Sequence, residues 1–79
     1  MLYPNPVKKN INLKFNDYYY GVISIKIYSI HGKLLKSLVE NKLATEVEYS
    51  VPVDNLAKGS CLVKISKSNA EENRKIIVE

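Results

Sequence analysis

Tryptophan is absent from this 79-residue chain, and histidine and cysteine occur once each. Arginine is nearly missing too: Arg74 is the one arginine among twelve basic residues. Each scarcity removes a class of function. A single cysteine, Cys61, rules out an internal disulfide and reads as a small buried hydrophobe. One cysteine and one histidine do not make a zinc set. His31 stands beside Gly32 and reads as a turn residue. Ser60 follows a glycine, but no G-x-S-x-G elbow surrounds it and no second histidine exists to relay a proton. The three glycines are scattered turn formers, not a phosphate cradle. The carboxylates Glu46, Glu48, Glu71 and Glu72 fall in no calcium-loop pattern. No apolar run approaches the roughly 18–20 residues that cross a bilayer. The expectation is therefore a protein that is not an enzyme and holds no metal or cofactor.

What the chain does have is alternation. The length allows one domain, and a hydrophobic fraction of 46% suits a packed core and not a disordered tail. Ile11, Leu13 and Phe15 alternate with polar neighbours, which predicts a strand with one wet face. Asn16-Asp17 signals a turn. Ile23, Ile25 and Ile27 point one way and Val22, Ser24, Lys26 and Tyr28 the other. Ile30-His31-Gly32-Lys33 predicts a tight hairpin with Gly32 at positive φ, and Leu34 to Val39 forms the return strand. A polar loop is expected around Glu40-Asn41-Lys42. Val47, Tyr49, Val51 and Val53 form the next apolar face, and Pro52 puts the end of that strand at an edge or outside the ladder. Asp54 to Gly59 reads as a turn anchored by Leu56. Cys61, Val63 and Ile65 point inward on the following strand. Lys67 to Asn73 reads as a polar hairpin loop, and Lys75-Ile76-Ile77-Val78-Glu79 closes the chain. Six or seven short strands without a helix predict an all-β protein, a small Ig-like antiparallel β-sandwich spanning residues 1–79 as one domain.

Two stretches could face a partner. Tyr18-Tyr19-Tyr20, read as strand, puts Tyr18 and Tyr20 on one face and Tyr19 on the other, either as core wall and edge cap or as an aromatic platform. Lys14, Lys26, Lys33, Lys36 and Lys64 fall on outward positions. With the net charge of +4 they suggest a solvated face over a single-strand nucleic-acid site, because acidic residues interleave and no RNP-like motif is present. Unpaired edges also leave room for an edge-strand dimer.

The chain opens on Tyr3-Pro4-Asn5-Pro6. Proline fixes φ and pushes the residue before it towards extended geometry, so this segment cannot be helix. Met1-Leu2-Tyr3-Pro4 has neither the basic nor the apolar region of a secretory signal, which a longer parent could carry upstream. The ordered set of the YPNP entry, the Ile25–Leu35 hairpin around Gly32, the Leu56-Ala57-Lys58-Gly59-Ser60-Cys61 corner and the final basic-apolar strand resembles the type A C-terminal sorting domain of the type IX (Por) secretion system of Bacteroidetes.

The resemblance implies a non-catalytic sorting signal at the end of a secreted parent, with the cargo domain N-terminal to it. It implies export through the periplasm to the outer-membrane surface or beyond. It also implies recognition by outer-membrane components that include a sortase-like transpeptidase, and removal of the domain afterwards by cleavage upstream of residue 1. The positions it carries over are Tyr3, Pro4, Asn5, Pro6, Gly32, Leu56, Gly59, Lys75, Ile76, Ile77 and Val78. Cys61 departs from the family's usual tyrosine, which would leave that corner repacked or looser, and Glu79 departs from its usual basic end. The other reading of such a chain is an Ig-like accessory domain that helps a neighbouring enzyme or adhesin bind carbohydrate or protein.

Overall fold

A computed structural model describes residues 2–3, 9–68 and 70–79, with Leu2 and Tyr3 described through their backbone. Alternating apolar residues with β-branched side chains favour a pleated, half-buried surface, and among the described residues seven strands form in the order β1 Leu2–Tyr3, β2 Asn10–Asn16, β3 Gly21–Ser29, β4 Leu34–Lys42, β5 Glu46–Pro52, β6 Gly59–Lys67 and β7 Ala70–Val78. They divide into two antiparallel sheets, β1-β2-β5 and β4-β3-β6-β7. The β2-β5 pair in one sheet and β3-β6-β7 in the other reproduce the strand order of an Ig-like sandwich, with β4 as the added edge strand.

The inward residues meet expectation. Ile11, Leu13 and Phe15 from β2, Ile23, Ile25 and Ile27 from β3, Val51 from β5, and Cys61, Val63 and Ile65 from β6 form one buried cluster that Ile76 and Val78 of β7 complete. Leu38, Val47, Tyr49 and Leu56 pack against it half-buried. Lys36 Nζ of β4 donates to the Pro52 carbonyl of β5 and so ties one sheet to the other. Pro52 lies at the end of β5, an edge strand, where its missing N–H costs no ladder bond.

Three expectations are corrected. Glu40-Asn41-Lys42 is not a loop: β4 runs through it, pairing Val22 with Asn41 and Gly21 with Lys42. The segment Lys67 to Asn73 is not a long loop either. Lys67 pairs directly with Ala70, and the strand β7 carries Glu71, Glu72 and Asn73. Both stretches are polar on their inward face as well as outward, so alternation of apolar residues gives no sign of the strand. They sit at edges, where backbone pairing with one neighbour sets the conformation without a buried apolar row. Finally, Tyr18-Tyr19-Tyr20 lies in the β2–β3 connection and not on a strand. Tyr18 is exposed, Tyr19 packs on the core, and Tyr20 is more than half exposed.

Candidate functional site

The β3–β4 hairpin closes by backbone hydrogen bonds from Ser29 N to Lys33 O (2.8 Å) and from Gly32 N to Ser29 O (3.0 Å). Gly32 takes φ +88°, the left-handed geometry that a Cβ disfavours. The Ser29 hydroxyl accepts from the backbone N–H groups of His31 and Lys33, each at 3.2 Å. His31 is an exposed turn residue.

The second corner lies against this hairpin. Leu56 N donates to Val53 O at 3.0 Å, which turns the chain after β5 and drops the Leu56 side chain onto the core. Gly59, at φ +132°, starts β6 and pairs with Val78 of the terminal strand. Ile30 and Leu35 of the hairpin face Ala57, Gly59 and Cys61 across a shallow groove of about 260 Å³. That volume lies below the roughly 300–1,000 Å³ of small-molecule sites. Cys61 points inward and is buried, and burial pushes its thiol pKa up.

The terminal strand splits by period. Ile76 and Val78 are buried in the core, whereas Lys75 and Ile77 point outward. Lys75 sits opposite Leu62, and Leu62 sits opposite Tyr28. Exposed Leu62 and Ile77 therefore share the outer sheet face with Lys75 at the same end of the sandwich as the two corners.

Of the carried-over positions, Gly32, Leu56, Gly59 and the end of β7 come together there. Tyr3 is in the other sheet, paired with Asn12 in β1. Pro4, Asn5 and Pro6 lie outside the described residues. The chain re-enters at Lys9, whose carbonyl accepts from Val53 N at 2.7 Å beside the Leu56 turn.

Sequence reasoning passed over a polar cluster at the opposite end. Lys42 is fully buried, and its ammonium donates to the carbonyls of Asp17, Tyr19, Ala44 and Thr45 at 2.7–2.9 Å. Asp17 bridges Lys67 at 2.7 Å through one carboxylate oxygen and Lys42 at 3.2 Å through the other. The hydrogen bond from Lys67, more than the one from Lys42, lowers the Asp17 pKa from 3.8 to about 2 against the opposing effect of burial. A period of two along Leu38, Glu40 and Lys42 would have placed Lys42 inward; its charge argued for a loop instead.

Of the lysines read as outward, Lys36 turns inward, opposite buried Ile27, and reaches the Pro52 carbonyl of the other sheet, while Lys26 sits opposite Lys64. Lys14 pairs with Glu46 and Lys64 with Glu71. Among the described residues no group of three or more His, Cys, Asp or Glu is placed to hold a metal ion. No curated protein matches the chain. A family model does, described as "Secretion system C-terminal sorting domain" and matching residues 1–79. With its all-β sandwich and its clustered hairpin, corner and terminal strand, the chain belongs to the C-terminal sorting domain family and is a sorting signal of type IX secretion.

Proposed function

We propose that residues 1–79 are one non-catalytic sorting module, following a cargo domain in a larger secreted parent, and that the type IX machinery reads its folded end rather than an extended tail. The observation that carries this reading is the convergence of the Gly32 hairpin, the Leu56–Gly59 corner and the end of β7 on one end of the sandwich. Gly32, Leu56, Gly59, Ile76 and Val78 build that end. Lys75 and Ile77 face outward from it and make the contact. A groove too small for a typical small-molecule substrate favours a protein partner. Because Leu2–Tyr3 already pairs with β2, the module includes Tyr3, and the Pro4-Asn5-Pro6 run that follows it extends neither a helix nor a central ladder. A sortase-like transpeptidase then cuts upstream of this segment, the module is discarded, and the cargo stays at the surface or leaves the cell. No edge-strand dimer is needed for this role.

The test is an export assay. The chain, with its native upstream linker, is fused behind a signal peptide and a fluorescent reporter in a Bacteroidetes host with and without a working type IX translocon. Export that needs the translocon, and that falls at least tenfold in a folded Lys75→Glu/Ile77→Ser double variant, supports the reading. A folded wild-type fusion that stays periplasmic in both hosts sinks the sorting role for this chain. Export at the wild-type level in the double variant moves recognition away from β7.

A further inference from the structure

The oxygens around Lys42 outnumber what an ammonium can serve. Four carbonyls, those of Asp17, Tyr19, Ala44 and Thr45, lie 2.7–2.9 Å from Nζ, and Asp17 Oδ1 lies at 3.2 Å. An ammonium has three protons, so five oxygens cannot each receive a linear hydrogen bond. A spherical ion has no such limit. The ring of Tyr20 flanks the group, with Nζ 5.3 Å from its centroid, so a cation is favoured from that side as well.

We propose that this is a cation cage in which Lys42 is a tethered substitute for a large monovalent ion of the potassium or ammonium class. Backbone carbonyls that replace a hydration shell are the ligands potassium takes in selectivity filters. The observed spacing excludes the small divalent ions. Calcium takes 6–8 oxygens at about 2.3–2.6 Å and magnesium demands a tighter octahedron at about 2.0–2.1 Å, whereas these oxygens stand at 2.7–3.2 Å. Charge points the same way. The cage holds one carboxylate, and Lys67 already occupies its other oxygen at 2.7 Å; a doubly charged ion would be under-neutralised.

The tether has a consequence. Residues 17–20 and 43–45 are two loops at one end of the sandwich, and the cage draws on both. With the cation covalently attached, those loops hold one arrangement whatever the ionic composition of the medium.

The test removes the tether. Lys42→Ala is melted in choline chloride and then, at equal ionic strength, in chlorides of potassium, ammonium, sodium, calcium and magnesium. Potassium and ammonium are expected to raise its melting temperature saturably. At a tenfold excess over the dissociation constant the rise is on the order of 5–10 °C for a domain of this size. Wild type, whose cage is filled, shows no such preference. Lys42→Met, which keeps most of the stem in place without a charge, shows none either. Folding of Lys42→Ala in potassium but not in choline supports the proposal equally. Identical melting in every salt, failure to fold in all of them, a preference for calcium or magnesium, or the same potassium response in wild type overturns it.

Discussion

Lys42 is the residue on which one end of the molecule depends. A buried ammonium is tolerated only when its protons are all taken up, and here carbonyls from two loops receive them. Replacing it with methionine keeps the stem and leaves those carbonyls without their donor. The expected loss is about 2–3 kcal/mol, measured by urea denaturation, and it is a large share of the roughly 3–5 kcal/mol that a core of this size supplies. Asp17 adds a pH dependence. Its carboxyl titrates at about 2 in the fold, below the ordinary 3.8. A depressed pKa means that the unfolded chain takes up the proton first, so the contribution is complete above about pH 4 and is lost as pH falls towards 2. Melting temperature followed from pH 5 to pH 2 should fall in wild type, and the fall should be shallower in Asp17→Asn. Cys61, buried with a raised pKa, is expected to react with a thiol reagent at least tenfold more slowly in the native protein than in denaturant.

Strands and turns carry their own constraints. Ser68, in the β6–β7 connection, has φ +51°, a left-handed conformation that costs an L-residue about 1 kcal/mol or more. Ser68→Gly should therefore stabilise the domain by roughly 0.5–1 kcal/mol, read as a rise in the denaturation midpoint; an unchanged or lower midpoint would contradict that geometry. Terminal strand β7 combines two tasks by alternation. Ile76 and Val78 hold the core, while Lys75 and Ile77 are outward. Deleting the strand removes both at once. Ile76→Ala should cost about 2–4 kcal/mol through its cavity, whereas Ile77→Ser should change stability by less than about 1 kcal/mol. Comparing the two variants separates loss of fold from loss of recognition.

At the scale of the whole molecule, the ends of the sandwich differ. One end gathers the hairpin, the corner and the end of β7; the other gathers the Lys42 cage and the exposed Tyr18 and Leu43. β1 runs antiparallel to β2, with Leu2 opposite Leu13 and Tyr3 opposite Asn12, so the chain runs towards the hairpin end as it leaves β1. Sorting should then tolerate change at the cage end so long as the fold survives. A Tyr18→Ser fusion is expected to be exported within about twofold of wild type, in contrast to the Lys75→Glu/Ile77→Ser variant. Equal loss in both would mean that recognition spreads over the whole surface.

The sequence alone determined the strands that bury an apolar row. Ile11 to Phe15, Ile23 to Ile27, Val47 to Val53 and Cys61 to Ile65 announce themselves because a period of two is the mark of a half-buried strand. It also determined the Gly32 turn, where positive φ favours glycine, and the ordered motifs of the sorting family. Only the tertiary structure decided the rest. Glu40 to Lys42 and Ala70 to Asn73 are strands because a neighbouring backbone pairs with them, which the pattern of their own side chains does not encode. Lys42 is buried because the 17–20 loop, distant in sequence, brings the carbonyls of Asp17 and Tyr19 to its ammonium; until they meet, a lysine belongs in water.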